Sequence, residues 1–231
     1  MQSLPVHRSI LAVDIERSTS PLRTNPIKEE LRLLVYRLLG EAMAVAGIGS
    51  RHCDPFIDRG DGVLTLIHPV DQVPKTLLLN PLVPELTRLL SDYNLGLPID
   101  ERPRRELRLR VVVHAGEIHC DRKGPFGEEL DAAFRLLDAP KLKQCLQHAE
   151  GPLVLVVSEE IYQAIVRHRY DGICDDAFHQ VVRVHVAGRR RQGWVHVPAE
   201  SAVLSSAEEA VHGPRAAVAA LRRLATGPSA A

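Results

Sequence analysis

Apolar positions along the chain follow two periods, and the switches between them divide it into strands and helices. Ser9-Ile10-Leu11-Ala12-Val13-Asp14-Ile15 is an apolar run broken by an aspartate, which predicts a strand. A polar loop, Glu16 to Pro21, follows it. Leu31, Leu34, Val35, Leu38, Leu39 and Met43 then fall on one helical face, predicting a helix over 26–46. Asn25 would cap it, Pro26 suits its first turn and Gly47 its end. Strands are predicted near 51–58 and over 62–67, with Gly60-Asp61-Gly62 at the turn, where glycine tolerates positive φ. Pro69, Pro74, Pro81 and Pro84 make 69–84 a loop with short helical turns at most. Leu82, Leu86, Leu89, Leu90 and Tyr93 mark a second amphipathic helix.

In the second half, Leu107, Leu109, Val111 and Val113 alternate with Arg108, Arg110, Val112 and His114, a strand pattern. His114-Ala115-Gly116-Glu117 reads as a bend into a partner strand, Ile118–Cys120. Gly124-Pro125-Phe126-Gly127 leads to a helix over 128–138 that buries Leu130, Ala133, Phe134 and Leu137. A helix over 140–149, an apolar strand Leu153–Val157 and a helix over 159–167 capped by Ser158 come next. Val182, Val184 and Val186 with Trp194, Val195 and Val197 form a closing hairpin around a basic turn, Arg189-Arg190-Arg191. Beyond Pro198 the chain is rich in Ala, Ser and Gly, which predicts a mobile tail over 199–231 with one short helix at 215–224. The order β-α-β-β-α-β-β-α-α-β-α-β-β predicts an α/β sandwich of ferredoxin-like kind, helices covering a mixed sheet, as one domain over 8–198.

Composition narrows the classes. The 231 residues, 45% apolar and 25% charged, suffice for one buried core. Lys plus Arg and Asp plus Glu are equal at 29 each, so no overall field points to nucleic acid or an anionic membrane as partner. Cys53, Cys120, Cys145 and Cys174 are far apart and read as buried free thiols of a reducing cytosol. No stretch approaches the roughly 18 apolar residues of a membrane span, and Met1 to Arg8 lacks a secretory signal. The expectation is a soluble cytoplasmic protein.

Asp14 and Asp61 carry the candidate chemistry. If their strands are neighbours, the two carboxylates converge at one edge and suit Mg²⁺ or Mn²⁺, cations that prefer oxygen ligands and share them with phosphates. His119 and Cys120, adjacent on a strand, point to opposite faces and make a poor zinc site with His114. The Arg189–Arg191 run reads as a solvated turn.

These landmarks together resemble the catalytic domain of class III nucleotidyl cyclases, the fold of adenylyl and guanylyl cyclases. Leu11-Ala12-Val13-Asp14-Ile15 is similar to the strand with the first metal aspartate, and Arg59-Gly60-Asp61-Gly62 to the hairpin with the second. Arg110 through Glu117 resembles the strand ending in His-x-Gly. Phe126-Gly127 and the helix with Asp131 and Arg135 resemble the turn and helix that carry an Asn-x-x-x-Arg pair. Val156-Val157-Ser158 resembles a later strand-to-helix junction. The resemblance implies a head-to-tail homodimer acting on a nucleoside triphosphate at interfacial sites. One subunit would offer Asp14, Asp61 and the Ile15 carbonyl to two metals, Mg²⁺ or Mn²⁺; the other would supply Asp131 and Arg135. Such a metal pair, about 3.5–4 Å apart, activates the nucleophile and clamps the phosphates.

Departures from the family pattern alter the expected specificity. Asp131 stands for the ribose-contacting asparagine, and Ile57 and Gly124 stand where the base-reading lysine and acid would be. Arg17-Ser18-Thr19 replaces Gly-Phe-Thr in the loop that faces phosphate. Phe126 completes the nucleotide-binding candidates. The resemblance therefore implies a cyclase of altered base preference. The competing reading is a degenerate cyclase-homology module that binds nucleotide or only itself.

Overall fold

The computed structural model describes residues 4–170 and 172–198. The predicted tail over 199–231, with its helix at 215–224, lies outside the described residues. Strand β1 (Val6–Ile15) occupies the middle of the sheet, antiparallel to β3 (Gly62–Ile67) on one side and β4 (Leu109–Asp121) on the other. The full order is β2-β3-β1-β4-β6-β8-β7, with β2 (Ile57–Asp58), β6 (Leu153–Ser158), β7 (His179–Val186) and β8 (Arg189–His196). Only β4 and β6 run parallel, and β5 (Gly124–Phe126) pairs with the far end of β4. This is a mixed sheet of eight strands, as the interleaved order predicted.

Helices cover both faces. Alternation along β1 sends Leu11, Val13 and Ile15 into one core with α1 (Asn25–Val45) and α2 (Leu82–Leu95). Ile10 and Ala12 enter the other core, beneath α4 (Glu128–Leu137) and α5 (Pro140–His148). A sheet covered on both faces explains why β1, β4 and β6 read as nearly unbroken apolar runs. A one-turn helix, α3 (Arg102–Arg105), precedes β4, and α6 (Glu159–Ala164) follows β6. The predicted face of α1 is buried, with Ile27 and Ala42 added, and Pro26 lies in its first turn; the N-terminal boundary falls at Thr24, not Asn25, and carries no side-chain cap bond. Ser158 caps α6, accepting a hydrogen bond from the Ile161 amide.

Several expectations are corrected. The strand near 51–58 is a 3-10 turn, Ser50–His52, then a single bridge from Cys53 to Ile67 and the two residues of β2. Pro55 has no amide to give and separates the two paired pieces. His114 to Glu117 do not bend, since β4 runs straight through them to Asp121. Arg189 to Arg191 are not a turn either. Ala187 and Gly188, both at positive φ, make the reversal, and β8 starts at Arg189. The 140–149 and 159–167 helices end at His148 and Ala164, the latter continuing as a 3-10 turn, Val166–His168. Of the four cysteines only Cys145 is buried, and its thiol is pushed up to about 11 by that burial. No helix of the described residues is long and apolar enough to cross a membrane.

Candidate functional site

The predicted metal aspartates come together at one end of neighbouring strands. Asp14 lies opposite Gly62 in the β1–β3 register, and the Ile15 amide donates to the Asp61 carbonyl at 2.9 Å. Gly62 permits this approach: a Cβ there would stand 2.4 Å from the Val13 carbonyl oxygen. The hairpin before it is closed by the Arg59 amide, which donates to the Gly62 carbonyl at 3.0 Å. Asp58 accepts from the Gly60 amide at 3.1 Å and pairs with Arg32 at 2.9 Å. Asp58 therefore flanks the turn as a structural group. Arg59 places its guanidinium 4.3 Å from the centre of the Phe134 ring, tying the hairpin to α4.

Each carboxylate already has a protein partner. Asp14 Oδ2 pairs with Arg110, its cross-strand neighbour on β4, and both side chains are largely shielded, 16% and 11% exposed. Burial works against the Arg110 charge, and Asp138 at the end of α4 works for it. Asp61 Oδ2 accepts from the Ser18 hydroxyl. Both contacts use one oxygen of the carboxylate.

The loop between β1 and α1 is pinned from beneath. Arg23 is buried and donates to the carbonyls of Glu16 at 2.7 Å, Glu106 at 2.7 Å and Arg104 at 3.3 Å. Above this anchor Arg17 is exposed and holds a left-handed backbone, φ 56°. That is the position where the resembling family carries glycine, which enters this conformation without steric cost, whereas Arg17 brings a Cβ and a charge to it. Ile15, Ser18, Thr19, Lys28 and Asp61 line a cavity of about 240 Å³ beside it.

The other predicted residues lie on other elements of the chain. Asp131 and Arg135 are exposed on α4, and no ion pair joins them. Glu128, the alternative partner for Arg135, is engaged by Arg191 at 3.2 Å. Ile57 packs against the α4-side core and offers no polar group to a base. Gly124 and Phe126 lie on the β4–β5 hairpin, at the end of β4 away from Arg110. Phe126 is 48% exposed and stacks on His119, ring centres 5.2 Å apart.

An all-oxygen donor set of Asp14, Asp61 and the Ile15 carbonyl fits a hard divalent cation, since each carboxylate keeps a second oxygen. A separate cluster, Cys174, Asp175 and Asp176, brings its ligand atoms within 4.8 Å of one another. Arg169 pairs with both of its carboxylates, at 2.5 Å and 3.4 Å, so one of the cluster's two negative charges is already offset.

Arg110 and Lys28 had no role in the sequence reading. Strand register would have exposed Arg110, because an antiparallel neighbour of β1 places one β4 residue opposite Asp14. Lys28 follows from the helix start, one turn beyond the loop. A third omission is Arg191, read as part of a solvated turn. It lies half-buried against Glu128, Glu129 and Glu160.

No family model and no curated protein matches the sequence. Solved structures do match. The adenylate/guanylate cyclase/hydrolase from Silicibacter pomeroyi superposes with a TM-score of 0.59 at 20% identity, over 85% of this chain and 99% of that one. The adenylyl cyclase CyaB from P. aeruginosa gives 0.56 at 14% identity, over 88% and 100%. The catalytic core of a rhodopsin-guanylyl cyclase with converted specificity, in complex with ATPαS, gives 0.55 at 12% identity, over 85% and 99%. The chain has the fold of class III adenylyl and guanylyl cyclase catalytic domains.

Proposed function

We propose that the protein is a divalent-metal-dependent nucleotidyl cyclase with altered base preference, working as a head-to-tail homodimer. The observation that carries this is the meeting of Asp14 and Asp61 at adjoining strand ends of a cyclase fold. In the reaction the ribose 3′-oxygen bonds to the α-phosphorus, the bond to pyrophosphate breaks and the hydroxyl proton passes to solvent water. Asp14, Asp61 and the Ile15 carbonyl would hold Mg²⁺ or Mn²⁺, which supplies charge for the phosphates and acidifies the attacking hydroxyl. Ser18 and Thr19 line the adjoining cavity with hydroxyls, and Lys28 adds a cation suited to phosphate. Arg135, exposed and without an ion pair among the described residues, would reach the partner's site and offset charge developing at the α-phosphoryl group. Asp131 on the same helix can accept a ribose hydroxyl. Ile57 and Gly124 leave the base without the polar readers of adenine or guanine, which supports a different base preference.

The experiment is incubation with Mn²⁺ and each of the four nucleoside triphosphates, with cyclic product and pyrophosphate both measured. One triphosphate is expected to cyclise, and Asp61→Ala to lose at least about a hundredfold in kcat. Absence of product from all four, or an Asp61→Ala variant as active as the parent, rejects the enzyme reading.

One observation favours a second reading, a nucleotide-binding or dimerising module without turnover. Arg110 holds Asp14 as a buried counter-ion, a role a cation would otherwise take. Calorimetric titration separates the two: a module binds triphosphate weakly or with no requirement for Mn²⁺.

A further inference from the structure

His114 lies mid-way along β4, 1% exposed, on the face that α4 covers. Its Nε2 is 2.8 Å from Glu129 Oε2 in the first turn of α4, and its Nδ1 is 3.5 Å from Glu160 Oε2 on α6. Arg191 arrives from β8 and reaches Glu129 at 2.6 Å, Glu160 at 3.0 Å and Glu128 at 3.2 Å. On the β1 side the residue opposite His114 is Ile10, which does not titrate. Three carboxylates thus face one guanidinium and one imidazole. Gly116, two residues along the same face of β4, makes the room: a Cβ there would lie 2.5 Å from Glu129 Cγ.

We propose that His114 and Arg191 are positioning residues which, acting through Glu129, seat the first turn of α4 on the sheet and so set where that helix presents Asp131 and Arg135. The His114-Ala115-Gly116 segment is then a helix dock: the imidazole grips Glu129 and the glycine admits it. The consequence for catalysis rests on the cyclase reading, whereas the dock itself does not. Arg59 on Phe134 steadies the helix further along, but the ionic grip is confined to Glu128 and Glu129 at its start.

The dock depends on a proton. Burial alone would lower the His114 pKa, but the hydrogen bond it donates to Glu129 and the nearby Glu160 carboxylate outweigh it and the net direction is up. The bond from His114 in turn holds Glu129 low and brings Glu160 down to about 2. The imidazolium contribution is therefore complete below the ordinary histidine range and is lost as pH rises through the raised His114 value. The carboxylate contribution is complete above the ordinary glutamate range and is lost only as pH falls through the depressed values. On the alkaline side three carboxylates remain against Arg191 alone, and the start of α4 loosens.

The test uses the full chain, Glu129→Gln and Arg191→Met. Amide hydrogen exchange over 128–137, corrected for intrinsic rates, is followed from pH 6 to 9. In the parent, α4 exchange is expected to accelerate with pH beyond the rest of the sheet. Both variants are expected to exchange faster at neutral pH, and in Glu129→Gln the acceleration is expected to begin at lower pH. In turnover with Mn²⁺, kcat is expected to fall about ten- to a hundredfold with KM little changed. The alkaline limb of kcat moves to lower pH in Glu129→Gln, because one of the two carboxylates holding the His114 proton is gone. Unaltered α4 exchange in both variants overturns the dock. An alkaline limb that does not move, or a parent that makes no cyclic product, overturns its role in catalysis.

Discussion

At the Asp14 end of the sheet one carboxylate meets one guanidinium; around His114 three carboxylates meet one guanidinium and one imidazole. Both clusters face the α4 side of β4, four residues apart. The first is balanced by Arg110, which does not lose its charge at any ordinary pH, so it is fixed. The second is balanced only while His114 keeps its proton, so it responds to pH. The same contrast holds for the glycines that make space for them. Gly62 clears a backbone carbonyl, which cannot move without displacing β1, while Gly116 clears a flexible glutamate side chain. One corner is built to hold still and the other to hold a helix conditionally.

The largest expected effect is Gly62→Ala, a loss of about 3 kcal/mol, because a Cβ 2.4 Å from the Val13 oxygen forces two strands apart. Denaturant unfolding at constant slope measures it. Arg110→Met is next, about 2–3 kcal/mol, since it leaves the Asp14 carboxylate shielded and unpaired. Asp14→Asn with Arg110→Met is expected to recover part of that loss. Mn²⁺ binding to Arg110→Met, followed by electron paramagnetic resonance, is expected to tighten because a competing cation is gone. Unchanged Mn²⁺ affinity would mean Arg110 does not occupy a cation's place. Gly116→Ala comes third, about 1–2 kcal/mol, with faster exchange confined to α4. A loss as large as that of Gly62→Ala would erase the contrast between the two corners.

The sequence made the core legible and left much of the charge network hidden. Apolar period located β1, α1, α4 and β6 because burial on both faces of the sheet leaves little choice of side chain there. Asp14 and Asp61 stand out because they sit at element ends, where a change of period marks the boundary, whereas Ser18 and Thr19 enter only through the family resemblance. Ion pairs across strands and helices leave no local period. Arg110 was read as one face of an alternating strand, and Arg191 as part of a solvated turn, because their partners are 96 residues away in one case and 31 to 63 in the other. Gly116 reads as a bend because a glycine that admits a side chain and a glycine that turns the backbone look alike in sequence. Pro55 was the signal that 51–58 could not pair throughout, and it was present.

The smallest effect concerns the loop that joins the fixed corner to the cavity. Arg17 holds φ 56°, a conformation that a side-chain-bearing residue enters at a cost of about 1–2 kcal/mol. Glycine removes that cost, and the extra freedom it gives the unfolded chain takes back about 0.4–1 kcal/mol. Arg17→Gly should therefore stabilise the protein by about 0.5 kcal/mol, a rise in Tm of about 1–2 °C for a chain this long. Stability and binding are expected to move in opposite directions if the exposed guanidinium meets phosphate: Tm rises while KM for the triphosphate rises with it. A higher Tm with unchanged KM would make Arg17 an ordinary loop residue. A lower Tm would mean that its side chain supports the loop more than its backbone strains it, and the fixed corner would then extend past Ile15 into the loop itself.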